Sequence, residues 1–352
     1  MTAAATTRVR DALARQPQVD LAGLPTPIHD ASRLRAALGG AAACPRILIK
    51  RDDLTSLGLG GNKARKLEYL VADARQQGAT TLITTGAVQS NHARMTAAAA
   101  CVAGMRCVLV LTTTTDRPLL AGNLLLDTLY GAVIRLVPAI DPMLAVGNDE
   151  AVVAAVVDEE RAAGRIPYVI PVGGSSGVGV LGYVGGTAEL VDQLRDGDLA
   201  PSRLYYASGS RGTQAGLTLG AKLCAASYGL HGVAVSAGEP EKIERARRIA
   251  NEAASRLDVA ERVDLGDLFT DQGFIGEGYG IPTAAGLEAI SLFARHEGVV
   301  LDPCYTSKAA AALITHVRSG ALRPDETIVF LHTGGVPAIF TDAFAERLQG
   351  RA

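Results

Sequence analysis

Only six of the 34 basic residues are lysines: Lys50, Lys63, Lys66, Lys222, Lys242 and Lys308. Any amine chemistry must use one of these. In GGNKARKLEYL, Lys63 follows two glycines and starts an amphipathic helical pattern, with Lys66 one turn on, so both ammonium groups reach the same side. A lysine at a helix N-terminus meets an unfavourable dipole, which favours the neutral, nucleophilic amine that Schiff-base chemistry needs. The same spacing also suits two surface lysines of a charged helix. In SGSRGT, the small residues Ser208, Gly209, Ser210, Gly212 and Thr213 turn from an apolar run into a helix. Such a turn aims backbone N–H groups at one spot and makes an anion site, or serves only as a tight connection. Arg211 within it either adds charge or points to solvent. Gln89, Ser90, Asn91 and His92 cluster after a glycine at another helix start. Ser and Asn there are caps, and also donors to a carboxylate. Tyr279 in GEGYGIP and Tyr305 in DPCYTSK sit in glycine- or proline-bounded loops, placed for packing or for proton transfer.

The elements that position these residues alternate. The runs Ile47–Arg51, Thr81–Thr85, Cys107–Leu111, Ala132–Val137, Tyr168–Val172, Arg203–Ser208, Gly232–Ala237 and Thr327–Thr333 have the apolar, β-branched composition of buried strands. Helical periodicity lies between them, as at Asn62–Gln77 and Asn91–Val102. The pattern predicts an α/β fold with mostly parallel sheets covered by helices, and ligands where strands end and helices begin. The segment Met1–Pro25, rich in Ala and Arg, is expected to be a loosely attached arm or a short helix. None of the glycine clusters fits a Walker A loop or a dinucleotide fingerprint, which argues against ATP and NAD.

Composition narrows the class. A chain of 352 residues with a net charge of −2 and no basic stripe is not expected to bind nucleic acid or an anionic membrane. The apolar runs are strand-sized and Met1–Asp20 lacks a hydrophobic leader region, so a cytoplasmic location is expected. The five scattered cysteines suggest reduced thiols, and the six histidines show no ligand spacing, so no metal is expected.

Taken together and in order, GGNKARKLEYL, TTGAVQSNHAR, SGSRGTQAG, GYGIP, DPCYT and LHTGGVPA span about Leu24 to Phe340. This series resembles the 1-aminocyclopropane-1-carboxylate deaminase/D-cysteine desulfhydrase family. The resemblance implies pyridoxal 5'-phosphate as cofactor and the two-lobed tryptophan synthase β-subunit-like fold (fold type II). It implies a large lobe from 1–55 plus 165–352, a small lobe from 56–164, and a homodimer. Lys63 would hold the cofactor covalently, Lys66 and Ser208–Thr213 its phosphate, and Asn91 its phenolic oxygen. Ser90, with Asn91 and His92, would hold the substrate carboxylate, and Tyr279 and Tyr305 would face the substrate.

Two positions separate branches of this family. Thr306 follows the tyrosine of DPCY and Thr333 follows the histidine of the last glycine motif, where deaminases carry glutamate and leucine. Both threonines would meet the pyridine side of the cofactor. A hydroxyl there leaves the ring nitrogen neutral, a weaker electron sink that suits expulsion of a good β leaving group. The implied activity is α,β-elimination, with D-cysteine giving pyruvate, ammonia and sulfide. L-Cysteate sulfo-lyase and 1-aminocyclopropane-1-carboxylate deaminase remain alternatives, as does a catalytically silent module that binds the cofactor or a phosphate. Arg211, Cys304, Ser307 and Gly177 depart from the family's usual residues at these motifs. A positive Arg211 in the pocket would favour an anionic leaving group.

Overall fold

Among the described residues eleven strands form two sheets, each covered by helices. The computed structural model describes residues 3–141, 146–147 and 149–348. In chain order the strands are β1 (Ile28–Asp30), β2 (Arg46–Arg51), β3 (Thr81–Ala87), β4 (Arg106–Thr113), β5 (Val133–Asp141), β6 (Val146–Gly147), β7 (Pro167–Ile170), β8 (Arg203–Ser208), β9 (Gly229–Ala234), β10 (Thr270–Asp271) and β11 (Thr327–His332). One sheet has the order β1-β2-β11-β8-β9-β10, the other β6-β5-β4-β3-β7. All pairings are parallel except those of β1 and β6. The predicted α/β class with covered parallel sheets is what forms. The five-stranded sheet takes in β7, which lies beyond the 56–164 segment expected for the small lobe.

The eight predicted strands all form, Arg203–Ser208 with the expected bounds and the other seven with shifted ends. The run expected at Gly232–Ala237 forms over Gly229–Ala234, because β9 matches β8 residue for residue from Arg203↔Gly229 to Ser208↔Ala234. The run Tyr168–Val172 ends at Ile170, ahead of Pro171, which has no N–H to give a ladder. The N-terminal arm is not loose. Helix Ala3–Ala14 buries Val9 and Leu13 in the same cluster as Val184, Val191 and Leu194. Thr6 Oγ1 also donates to Asp192 Oδ1 at 2.8 Å.

The helices Lys63–Gln76 and Gly177–Asp196 cross at very close range. A Cβ on Gly182 would stand 2.2 Å from the Arg65 carbonyl oxygen, so only glycine fits there. Beside this crossing a buried ionic network ties the sheets' supporting elements together. Arg65, 1% exposed, donates from Nε to Asp52 Oδ2 at 2.9 Å and from Nη1 to Glu189 Oε2 at 2.9 Å. Lys50 Nζ donates to Glu189 Oε1 at 2.5 Å, and Tyr183 Oη donates to Asp52 Oδ2 at 2.6 Å. The guanidinium holds the Asp52 carboxyl down at about 2 despite complete burial.

Candidate active site

A cavity of about 700 Å³ opens where β3 and β7 of one sheet and β8 and β11 of the other deliver their C-terminal ends. This is where parallel sheets place ligands. Of the residues expected at the site, all but Lys66, Gly212 and Thr306 line it. A shallower depression of about 630 Å³ near Arg247 and Arg256 holds none of them.

Lys63 is the first residue of its helix, as the sequence predicted. Burial pushes its ammonium down to about 8, against the pull of Asp302. A substantial fraction of the amine is therefore neutral near physiological pH. Lys66 lies one turn further, fully buried, and is lowered well below the usual lysine range by burial and by Lys63. Its Nζ donates to the Gly173 carbonyl at 3.1 Å. No carboxylate pairs with it among the described residues.

The loop after β8 folds over Lys66. A Cβ on Gly212 would stand 2.7 Å from Lys66 Nζ and 2.7 Å from Ser175 Oγ, so the loop can lie on the ammonium only with glycine there. The helix Gly212–Leu223 makes its first internal bond from Ala215 N to Arg211 O at 2.9 Å. The amides of Gly212, Thr213 and Gln214 thus have no acceptor within the helix. Ser210 accepts from Ser175 Oγ at 2.9 Å, and Thr213 Oγ1 accepts from Asn62 Nδ2 at 3.0 Å. Ser208 differs from expectation, since its hydroxyl donates to Gln214 Oε1 at 2.8 Å. Gly173 must also be glycine: its φ is +68° and a Cβ would stand 2.1 Å from Ser210 Oγ. A buried ammonium without a counter-charge, free helix amides and small hydroxyls form the donor set of a dianionic phosphate.

Ser90 caps the helix Asn91–Ala103, its Oγ accepting from Ala93 N at 3.2 Å. Asn91 Oδ1 accepts from Asn123 Nδ2 at 3.0 Å, which turns Asn91 Nδ2 outward as a donor with no partner among the described residues. A donor held in this way suits a phenolate oxygen. His92 is neutral. Thr84 Oγ1 gives its single proton to Ile170 O at 2.8 Å and so accepts from His92 Nε2 at 2.9 Å. Burial and the two lysines hold the imidazole well below its ordinary range. It reaches the cavity as an uncharged group and offers a carboxylate no cation.

Tyr279 and Tyr305 meet. Their hydroxyls share a short hydrogen bond, and their rings stand edge-on at 5.8 Å. Burial raises both phenols, so both keep their protons. Thr333 lines the cavity, but Thr306 does not reach it. Its hydroxyl donates to Asp302 Oδ1 at 2.7 Å and accepts from Asp302 N at 2.8 Å. That carboxylate also takes the amides of Cys304 and Tyr305 at 2.9 Å each, which fixes the turn carrying Tyr305.

Arg211 lines the cavity, but its guanidinium is turned away from it. Its side chain is buried against Glu239, with Gln214 and Thr270 at 3.3 Å. Sequence reasoning missed Asn62, Ser175 and Asp302. Asn62 stands inside GGNK and Asp302 opens DPCYT, so their signal was the motif itself. Ser175 carries none, because its role arises from the meeting of two loops. The residues present fit pyridoxal phosphate: a buried cationic cradle, a lysine with a depressed ammonium, and a free amide donor surround one cavity.

Comparison with known proteins points the same way. Residues 19–334 match the family described as pyridoxal-phosphate dependent enzymes. D-cysteine desulfhydrases of Salmonella typhi and Salmonella choleraesuis are each 42% identical over 333 residues, covering 93% of this chain and 97% of the relative. A crystal structure of a homologue of 1-aminocyclopropane-1-carboxylate deaminase superposes with a TM-score of 0.85 at 36% identity, covering 98% of this chain and 99% of that one. Threonine deaminase isoform 2 of Solanum lycopersicum shares the fold, with a TM-score of 0.66 at 16% identity, covering 100% of this chain and 89% of that one.

Proposed function

The chain belongs to the family of pyridoxal-phosphate-dependent enzymes, and on that premise we propose that it is a lyase converting D-cysteine and water to pyruvate, ammonia and hydrogen sulfide. The observation that carries this reading is Lys63, whose depressed ammonium lines one cavity with the Ser90 cap and the tyrosine pair. Bound pyridoxal phosphate supplies the electron sink that acidifies the substrate's Cα–H. Lys66, Ser210, Thr213 and the amides that follow Arg211 hold its phosphate, with Ser208, Gly209 and Gly212 shaping the loop. Asn91 Nδ2 would meet its phenolic oxygen, and Thr333 would offer its ring nitrogen a neutral hydroxyl. Thr306 acts from behind, by holding Asp302.

Ser90 and the first amides of its helix bind the substrate carboxylate, and the neutral His92 completes that wall. Lys63 Nζ takes the Cα proton. The Tyr279–Tyr305 pair, which keeps its protons, is placed to hydrogen-bond the sulfur as it departs. The L-cysteate alternative rests on the similar loops of that branch; a positive Arg211 would have suited its anionic leaving group, and Glu239 takes up that charge.

The lobe division, 1–55 with 165–352 against 56–164, is part of this reading, with β7 joining the small lobe's sheet. So is a homodimer. Leu119 and Leu120 are 67% and 61% exposed just before the helix Gly122–Leu129, and Phe340 is 69% exposed on the segment packed against that helix's start. A second copy of this chain would cover that apolar patch. The free cysteines suit a reducing cytoplasm. No helix among the described residues is long and apolar enough to cross a membrane. The test is product release from a panel of D-cysteine, L-cysteine, L-cysteate and 1-aminocyclopropane-1-carboxylate. D-Cysteine is expected to be turned over fastest. Faster turnover of the cyclopropane amino acid would overturn the elimination reading.

A further inference from the structure

Three side chains far apart in sequence meet at the edge of the six-stranded sheet: His231 on β9, Asp271 on β10 and His316 on the helix Thr306–Arg318. None lines the cavity. Their ligand atoms all lie within 4.8 Å of one another. His231 Nε2 stands 3.3 Å and His316 Nε2 3.7 Å from Asp271 Oδ2. Both exceed the separation of a charge-assisted hydrogen bond, about 2.7–2.9 Å. For metal–ligand bonds of about 2.05 Å, the same separations subtend about 107° and about 129° at a shared ion, which brackets the tetrahedral angle.

The surroundings are ordered for this. Gly273 N donates to Asp271 Oδ1 at 2.9 Å, while Oδ2 faces the imidazoles with His231 Nε2 as a long hydrogen-bond partner at 3.3 Å. Tyr205 Oη lies 2.9 Å from His316 Nδ1, an outer contact that orients the ring with Nε2 toward Asp271. The Tyr205 ring stacks on His231 at 4.4 Å, and Phe269 and Phe274 close the sides at 5.0 and 5.8 Å. The three side chains keep 13–22% exposure, enough to admit an ion and a water.

We propose that His231 Nε2, Asp271 Oδ2 and His316 Nε2 form a site for one zinc ion, with water as its fourth ligand. The sequence offered no such site, because the ligands share no spacing and only the sheet and one helix bring them together. Bound zinc would tie the two-residue edge strand β10 to β9 and to the helix. From β10 the chain runs to Tyr279 at the cavity. The ion would therefore brace the root of an active-site loop without touching substrate.

The test is titration of the cofactor-loaded, chelator-treated protein with zinc chloride, followed by calorimetry, and with cobalt chloride, followed by visible absorption. One equivalent of zinc is expected, with cobalt showing the intense bands of a four-coordinate ion. Asp271→Asn and His316→Gln should each weaken binding by more than about tenfold while retaining the cofactor's absorption. Absence of one-equivalent zinc binding, or binding of equal strength in both variants, would overturn the proposal. If a variant does not fold, His231→Gln replaces it, and wild-type protein without four-coordinate cobalt bands overturns the proposal by itself.

Discussion

Replacing Lys66 with methionine should move two properties of this protein in opposite directions. Lys66 is fully buried, touches one carbonyl at 3.1 Å, and has no carboxylate to balance it among the described residues. Without cofactor its burial favours the neutral amine, so folding must strip the lysine of its proton, and that is a burden on the fold. Methionine keeps most of the apolar stem and removes that burden. The cost is one hydrogen bond, about 1 kcal/mol, against relief of the cost of deprotonating a buried lysine, so the cofactor-free variant should gain about 1–3 kcal/mol. The cofactor-bound state loses a charge-assisted contact of about 1.5–3 kcal/mol, so affinity should fall about 10- to 150-fold. The sign with pH follows. A lysine depressed in the fold makes stability rise with pH, by about 1.4 kcal/mol per unit, until the unfolded chain's own lysine titrates near 10.4. Wild-type protein stripped of cofactor should show this slope between about pH 8 and 9, and Lys66→Met should flatten it, leaving the share of Lys63. Urea denaturation of stripped protein and absorbance titration with pyridoxal phosphate measure both quantities. A stripped variant less stable than wild type, with cofactor affinity within twofold, would refute the assignment of Lys66 to the phosphate.

Asp52→Asn should destabilise the fold by about 3–5 kcal/mol in guanidinium melts, because it strips the buried Arg65 of one of its two carboxylates. Asp52 is held at about 2, below its unfolded value, so its stabilisation is present above about pH 4 and is lost as pH falls towards 2. An acid limb unchanged in Asp52→Asn would show that other carboxylates set it. Lys308 Nζ holds the carbonyls of Ile275 and Gly278 at 2.7 and 2.8 Å, next to Tyr279. Lys308→Met should lower kcat about 10- to 100-fold with cofactor affinity unchanged, and an equal loss of cofactor would mean a general collapse instead. Leu120→Glu should shift the assembly to monomers in sedimentation velocity, and an unchanged dimer would place the interface elsewhere.

The site was legible in the sequence wherever a motif holds its own geometry. Lys63 begins its helix because two glycines precede it, and Ser90 caps its helix because a serine at that turn can do little else. What the sequence hid depends on tertiary meeting. Arg211, inside the phosphate loop, turns to Glu239, and Thr306 is claimed by Asp302 four residues earlier. The strands β1, β6 and β10 have two or three residues each, too few to show a period, and exist only because a neighbouring strand pairs with them. The N-terminal helix carries a weak apolar stripe of small residues, and its docking against Val184 and Leu194 was invisible for that reason.

The central claim is that Lys63 moves the Cα proton in an elimination. Its most direct test is sulfide release from D-cysteine by Lys63→Ala beside wild type, both loaded with pyridoxal phosphate. Turnover by the wild type and a loss of at least about 10³-fold in the variant is the expected result. Sulfide release by Lys63→Ala within tenfold of wild type would contradict the account.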